Sequence, residues 1–262
     1  MKKLTSYHLK IIAIGFMMLD HVLKAFSNDI MTWMQNNQIF TFTNYIIFMV
    51  ILSLGRIAFP LFTYMIAQGC EHTHNIKKYI YRLLLLAVIS EVPFQYFMSI
   101  LNETPYTFSL SAGNVFFTLA LGAISIEGYR RLKEKEASSW IPYSPVIICA
   151  VLAQVLDTDY AGIGVILIFL WFIFKDSKYW YLPVIIFSVF LYDIFFLTLG
   201  IINYGFDMFV ILEAVLHTSC SLLSILILKR YNGKKGKPIK WFFYVFYPLH
   251  ITLIVMSYNF LH

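Results

Sequence analysis

Long apolar runs separated by short polar ones organise the chain from end to end. Nine of them approach or exceed the ~20 residues that a helix needs to cross a hydrocarbon core of about 30 Å. They fall at about 8–27, 45–70, 78–101, 113–131, 141–156, 160–175, 179–199, 205–229 and 241–261. The pattern predicts an all-α, polytopic transmembrane bundle of about nine helices, forming one domain over 1–262. The runs at 141–156 and 160–175 are the shortest, and together they fit either two spans or one re-entrant hairpin. Asp157-Thr158-Asp159 between them reads as a polar turn. The first run is long and has no small-residue cleavage site after it, so it reads as a retained helix rather than a signal peptide.

Lysine and arginine alternate between the loops. The N-terminal segment carries Lys2, Lys3 and Lys10, and the loop at 28–44 carries none. Lys77, Lys78 and Arg82 follow, and 102–112 carries none. Arg130, Arg131, Lys133 and Lys135 come next, then an acidic turn, then Lys175 and Lys178. The seventh loop has no cation, and Lys229, Arg230, Lys234, Lys235, Lys237 and Lys240 close the series. Basic loops stay cytoplasmic, so the alternation predicts a cytoplasmic N-terminus and an extracytoplasmic C-terminus. The expected location is the bacterial plasma membrane.

Composition agrees with a lipid solvent. Of the 262 residues 60% are hydrophobic and 13% charged, against roughly 45–50% and about 25% in soluble domains. The aromatic share of 18% suits lipid contact and interfacial belts. The net charge of +6 sits at helix ends and does not indicate nucleic-acid binding. Cys70, Cys149 and Cys220 are far apart in apolar surroundings. They have neither metal nor disulfide spacing, and read as small buried hydrophobes.

Ionisable residues inside the runs are costly and mark function by default. Here they are Asp20, His21, Lys24, Arg56, Glu91, Asp193, Asp207, Glu213, His217 and His250. Topology puts His21, Arg56, Glu91, His217 and His250 at comparable depth, which suggests a site in the bundle interior. Structural readings compete: Asp20 with Lys24 and Glu213 with His217 as i,i+4 pairs, Arg56 with Glu91 as an interhelical ion pair, and Asp207 as a complement to a helix dipole. His21 and His250 could be satisfied core groups, but a histidine titrates near neutrality and suits proton handling. Pro60, Pro93 and Pro248 fall inside predicted helices.

Several ordered motifs resemble the TraX family. The first helix reads Leu9-Lys10-Ile11-Ile12-Ala13 and then Met18-Leu19-Asp20-His21. The second reads Gly55-Arg56-Ile57-Ala58-Phe59-Pro60, with Ile66-Ala67-Gln68-Gly69 and His72-Thr73 after it. Arg82-Leu83 and Ile89-Ser90-Glu91-Val92-Pro93-Phe94 lie in the third, and Gly113-Asn114-Val115-Phe116-Phe117-Thr118-Leu119 opens the fourth. Asp159-Tyr160, Gly162 and Gly164 follow, and Phe243-Tyr244-Val245-Phe246-Tyr247-Pro248-Leu249-His250 lies in the last.

The resemblance implies a membrane acyltransferase. The founding member of the family acetylates the N-terminus of a conjugative pilin, and the family is similar to transmembrane acyltransferases that use cytoplasmic acetyl-CoA. In those enzymes the first helix carries a basic residue and, ten residues between, a catalytic histidine. Lys10 and His21 fit that spacing, with Lys10 where the polysaccharide enzymes usually carry Arg. Acyl transfer needs a base and an oxyanion donor. The expected catalytic set is therefore His21 as base, Asp20 or Glu91 to orient it, and Arg56 as the cation. Lys10, Lys77, Lys78 and Arg82 are the candidate contacts for acetyl-CoA, and Asn114, Tyr160 and His250 for the acceptor. That acceptor is a pilin-like peptide or a glycan, extracytoplasmic or membrane-embedded. A proton-coupled transporter using the same intramembrane residues is the alternative. Neither a repeated half nor a soluble binding segment is visible in support of a carrier or an assembly factor.

Overall fold

The structure is a computed structural model that describes residues 3–109, 112–135, 140–237 and 240–262; Lys2 lies outside them. Every apolar run of the sequence coincides with helix. The order is α1 (Ser6–Ala25), α2 (Ser27–Asn36), α3 (Phe42–Ser53), α4 (Ala58–His72), α5 (Ile76–Leu101), α6 (Val115–Lys135), α7 (Ser144–Val155), α8 (Ala161–Phe174), α9 (Leu182–Ser188), α10 (Leu197–Tyr204), α11 (Met208–Lys229) and α12 (Lys240–Leu261). Among the described residues there is no strand beyond an isolated pairing of Leu4 with Tyr231.

Five helical segments of the described residues are long and apolar enough to cross a membrane: Phe42–His72, Ile76–Leu101, Leu182–Asn203, Met208–Lys229 and Tyr244–Leu261. The first joins α3 to α4 through a 3₁₀ turn at Leu54–Ile57, and the third joins α9 to α10 through a π-helical turn at Val189–Phe196. Helix α1 is long enough but carries Lys10, Asp20, His21 and Lys24. Helix α6 carries Glu127, Arg130 and Arg131 in its last turns. Helices α7 and α8 are apolar but shorter. Helix α2 lies where the sequence suggested a loop. Its polar residues leave only Met34 buried, so it has no apolar run to announce it.

Pro60 follows the 3₁₀ turn at the start of α4, inside the continuous helical segment Phe42–His72. Pro93 and Pro248 lie inside α5 and α12.

The chain gathers into two compact units, each assembled from separate stretches. One comprises Met1–Leu61, Val184–Phe243 and Leu253–His262, the other Phe62–Pro183 and Tyr244–Thr252. In the first, α1 and α11 pack against the 3₁₀ turn. The start of α1 is tied to the segment after α11. Ser6 N–H donates to the Lys234 carbonyl (2.8 Å) and Tyr7 N–H to that of Lys235 (3.0 Å), while Leu4 N–H donates to Arg230 O (3.0 Å). Lys3, Arg230, Lys234 and Lys235 therefore share one end of this unit. At its other end Phe26 meets Tyr258, with ring centroids 5.8 Å apart, and Asp29 meets His262 at 3.0 Å.

In the second unit α6, α7 and α8 pack tightly on one another, and α6 packs on α5. Leu121, Cys149, Ala153 and Val165 make its buried centre. Helices α7 and α8 touch backbone to backbone at Gly162, where a Cβ would lie 2.7 Å from the Ala150 carbonyl oxygen.

Candidate functional site

In the first unit the chemistry begins with Asp20, buried on α1. Its carboxylate is ion-paired with the Arg56 guanidinium and with Lys24 Nζ at 2.9 Å. Arg56 comes from the 3₁₀ turn between α3 and α4. That turn tightens the backbone and brings residues 54–57 against α1. Ser53 stabilises the approach by donating its hydroxyl to the Met49 carbonyl at 2.7 Å.

Glycine at 55 is required by the crossing itself, because a Cβ there would lie 2.5 Å from both Cβ and Oδ1 of Asp20. His21 follows on α1 and lies within the electrostatic reach of Asp20. Across from it, α11 supplies Glu213 and His217, with Nε2 and Oε1 3.9 Å apart. Arg56 and Lys24 both act on Glu213 and His217, and Asp20 acts on His217. Next to His217, Thr218 donates to Asp193 (2.8 Å) on the π-helical turn, and one turn on Ser221 pairs with Ser188 (2.8 Å). π-turns within helices recur at functional sites.

A second polar cluster lies in the other unit. Residues 104–109 return along α5 instead of leaving it at Leu101. Gln95 holds this return at both ends of its amide, donating to Ser109 O (2.8 Å) and accepting from Ser109 N–H (3.1 Å). Helix α6 therefore begins beside the middle of α5. The Glu91 carboxylate caps it, accepting from Gly113 N–H (3.0 Å), Asn114 N–H (3.2 Å) and Asn114 Nδ2 (2.6 Å), and from Gln95 Nε2 (3.0 Å). A carboxylate at a helix N-terminus is favoured by the dipole and by otherwise unmet N–H donors. Asn114 also donates to Ala87 O (2.7 Å) and accepts from Phe116 N–H (3.0 Å).

The turn before α8 docks on the same point. Asp159 N–H donates to Gly113 O (2.7 Å), and Thr118 bonds Thr158 at 2.9 Å and the Asp159 carbonyl. The sequence read 157–159 as an ordinary polar turn; Thr158 is buried. Three non-glycine residues here, Asp157, Tyr160 and Ala161, have φ of 51°, 61° and 42°. Strained backbone of this kind persists only where its surroundings over-determine it. From α12, Tyr247 packs on Phe116 (4.9 Å) and reaches the Val115 backbone. His250 is buried, stacked on Phe246 (4.8 Å) and bonded through Nδ1 to the Phe246 carbonyl (2.9 Å).

The far end of this unit is cationic. Arg130 donates to Cys70 O (2.8 Å) and lies over the Phe172 ring (4.7 Å), and Lys175 pairs with Glu71. Lys77 and Lys78 open α5 at this end, with Arg82 one turn on. At 1.5 Å per residue, Lys77 stands about 21 Å along α5 from Glu91.

The family model described as TraX protein matches residues 6–257. This chain belongs to the TraX family. A relative from Dichelobacter nodosus, named as a probable fimbrial assembly protein FimC of serogroup H1, is 27% identical over 263 residues, covering 98% of this chain and 97% of its own. No solved structure matches.

As a TraX-family membrane protein, the chain distributes its expected site residues over two clusters. Asp20, His21 and Arg56 come together in the first unit, which also holds Lys10, half-buried on α1. Glu91 joins Asn114, Tyr160 and His250 in the second, which also carries Lys77, Lys78 and Arg82. Arg56 has Asp20 as its carboxylate partner, and Glu91 is spent on the start of α6. Sequence reasoning missed Gln95 and Thr118, whose partners lie on a loop and a turn. The i,i+4 spacing did disclose the Asp20–Lys24 and Glu213–His217 pairs.

Proposed function

We propose that the protein is a membrane acetyltransferase that moves an acetyl group from cytoplasmic acetyl-CoA to an amine or hydroxyl acceptor, with His21 as general base. The observation that carries this reading is Asp20, buried beside His21 and held by two cations. A carboxylate fixed in this way keeps its charge. Its charge can stabilise the neighbouring imidazole when that ring is protonated. Membership of the TraX family supports the same class of reaction, and the fimbrial assembly protein named above supports a pilin-like peptide as acceptor.

In this mechanism His21 takes the proton from the acceptor as its nitrogen or oxygen attacks the acetyl carbonyl carbon. Arg56 faces the oxyanion that develops. Collapse breaks the carbon–sulfur bond, and the CoA thiolate leaves with the proton held by His21. Lys10, Lys77, Lys78 and Arg82 are cations suited to the phosphates of CoA. The alternation of cations supports a cytoplasmic face for them. Asn114, Tyr160 and His250 are the candidates for contacting the acceptor.

The test is CoA release and acetyl incorporation by protein purified in detergent, given acetyl-CoA and a peptide with a free N-terminus. Wild type should turn over. His21→Ala should lose about 10²–10⁴-fold, the usual contribution of a positioned base. Full activity in His21→Ala would remove His21 from the mechanism. No turnover and no acetyl-CoA binding by wild type, together with proton flux in vesicles, would replace the reading with a transporter.

A further inference from the structure

The helices of the second unit differ in reach. At its cationic end Tyr129 of α6 packs on Tyr143 (5.2 Å), just before α7, and on Phe172 of α8 (6.2 Å). Trp140 stands exposed beside Tyr143. Such rings beside cations mark a membrane interface. From this belt α6 reaches Thr118 after about 17 Å, α8 reaches Ala161 after about 17 Å, and α7 reaches Val155 after about 18 Å. At that level the turn between α7 and α8 crosses, bonded to Thr118 through Thr158. Helix α6 itself begins less than one turn beyond. The three helices therefore end about 10 Å short of the far side of a hydrocarbon core of about 30 Å. Helix α5 does not end there. Its Glu91 lies beside the start of α6, and it runs about 15 Å further to Leu101.

The depth left uncovered is lined by polar groups. Gln154 and Asp157 are exposed where α7 ends, and Asp159 and Tyr160 are half-buried in the turn. Along the last part of α5 runs the non-helical return of 104–109, exposing Thr104, Thr107 and Ser109. A carboxylate and irregular backbone do not persist against lipid tails. At membrane depth they occur where protein covers them or where they line water. Another face of α5 differs in kind. Val88, Ile89 and Val92 are 65%, 53% and 50% exposed, and all are apolar, as lipid contact requires. Polarity, and not exposure, separates the two faces.

We infer that the second unit holds a water-filled recess at the end away from its cations, floored by the 157–160 turn and the start of α6, through which a polar ligand enters from the extracytoplasmic side. The identity of that ligand as the acceptor rests on the acetyl-transfer reading. The recess then favours a water-borne acceptor, a peptide end or a sugar, over a lipid headgroup moving in sideways from the bilayer. Asp159 and Tyr160 are the first groups such an acceptor meets. Asn114 lies beneath them, fully buried against Glu91 and the Ala87 carbonyl.

The experiment is thiol labelling of sealed membrane vesicles of either orientation with a charged, membrane-impermeant maleimide. The buried Cys70, Cys149 and Cys220 are first replaced by alanine. Single cysteines are then placed at Ser109, Asp157, Val92 and Glu103. Glu103, exposed just past α5, is the reference for full access. From the extracytoplasmic side Ser109→Cys and Asp157→Cys should react within about tenfold of Glu103→Cys. Val92→Cys, at the depth of Glu91, should react at least about a hundredfold more slowly, because a thiol in apolar surroundings stays protonated. The maleimide on Asp157→Cys should lower acetyl transfer at least about tenfold and leave acetyl-CoA binding unchanged. Ser109→Cys keeps the backbone bonds to Gln95, so it decides the matter if Asp157→Cys fails to fold. Slow labelling of both, or labelling from the cytoplasmic side alone, would overturn the recess. Fast labelling of Val92→Cys would also overturn it, in favour of a bilayer thinned around the short helices. Labelling as expected with undiminished acetyl transfer would overturn the acceptor route and leave the acetyltransferase reading standing. Labelling as expected in a protein whose wild type has no turnover would remove that reading and uphold the recess.

Discussion

Gly55 lies directly against Asp20, so close that a methyl group on residue 55 would come within 2.5 Å of the carboxylate oxygen. The neighbour that would have to yield is a buried, doubly ion-paired side chain. Gly55→Ala should therefore lower stability by about 1–3 kcal/mol, the usual range for overpacking. It should also weaken the Asp20–Arg56 pair. Thermal unfolding in detergent checks the first expectation. Acetyl transfer that falls more than the loss of folded protein explains checks the second.

Asp20→Asn removes the carboxylate that is ion-paired with both Arg56 and Lys24. Breaking a buried pair by deleting one partner costs about 3–5 kcal/mol, because the other charge remains. Removing both charges in Asp20→Asn/Arg56→Gln should cost less than the sum of the two single changes. A double-mutant cycle on unfolding midpoints in denaturant measures the difference, and strict additivity would mean the two residues do not interact.

Glu91 is expected to matter first for stability. Glu91→Ala strands the Gly113 and Asn114 donors at the start of α6, each worth about 1–3 kcal/mol when left unmet in the interior. Glu91→Gln keeps shape but replaces one acceptor oxygen by a donor facing N–H groups, so it should fall between wild type and alanine. Hydrogen exchange of the first turn of α6 reports the loss locally. If the alanine variant unfolds at the wild-type temperature, the cap is not what holds that turn.

At the surface, His262 donates from Nδ1 to the Tyr258 carbonyl and pairs through Nε2 with Asp29, and both raise its pKa above the ordinary histidine value. A raised pKa in the folded state means that the protonated form is the one stabilised. The contribution is complete below about pH 6.5 and disappears as pH rises through the folded value. His262→Gln should flatten the small decline in unfolding temperature over that window. An identical slope in both proteins would show that another group titrates there.

Sequence pattern alone disclosed every apolar helix, the i,i+4 pairs and the polar nature of the interior. These are local properties that a period of 3.6 residues or a spacing of four makes visible. What pattern could not disclose is which buried charge meets which. Arg56 and Glu91 looked equally suited to each other, and only the close crossing at Gly55 commits Arg56 to Asp20, 36 positions away. The return of 104–109 along α5 was hidden for the same reason. A polar stretch after an apolar helix reads as a surface loop, and the two bonds from Gln95 that return it along α5 leave no periodic trace. Helix α2 lacked the apolar stripe by which helices are recognised.

The bonds from Ser6 and Tyr7 to the Lys234 and Lys235 carbonyls, set beside the contact at Gly55, give α1 two fixed points. Between Tyr7 and Asp20 the helix behaves as a key with a set number of teeth. Each residue added or removed turns everything beyond it by about 100° and shifts it by about 1.5 Å. A one-residue insertion in this stretch would leave the helix, its hydrophobicity and its span intact. It would nevertheless point Asp20 away from Arg56 and carry His21 off its bearing, so the length of this segment is as much a part of the site as the side chains it presents.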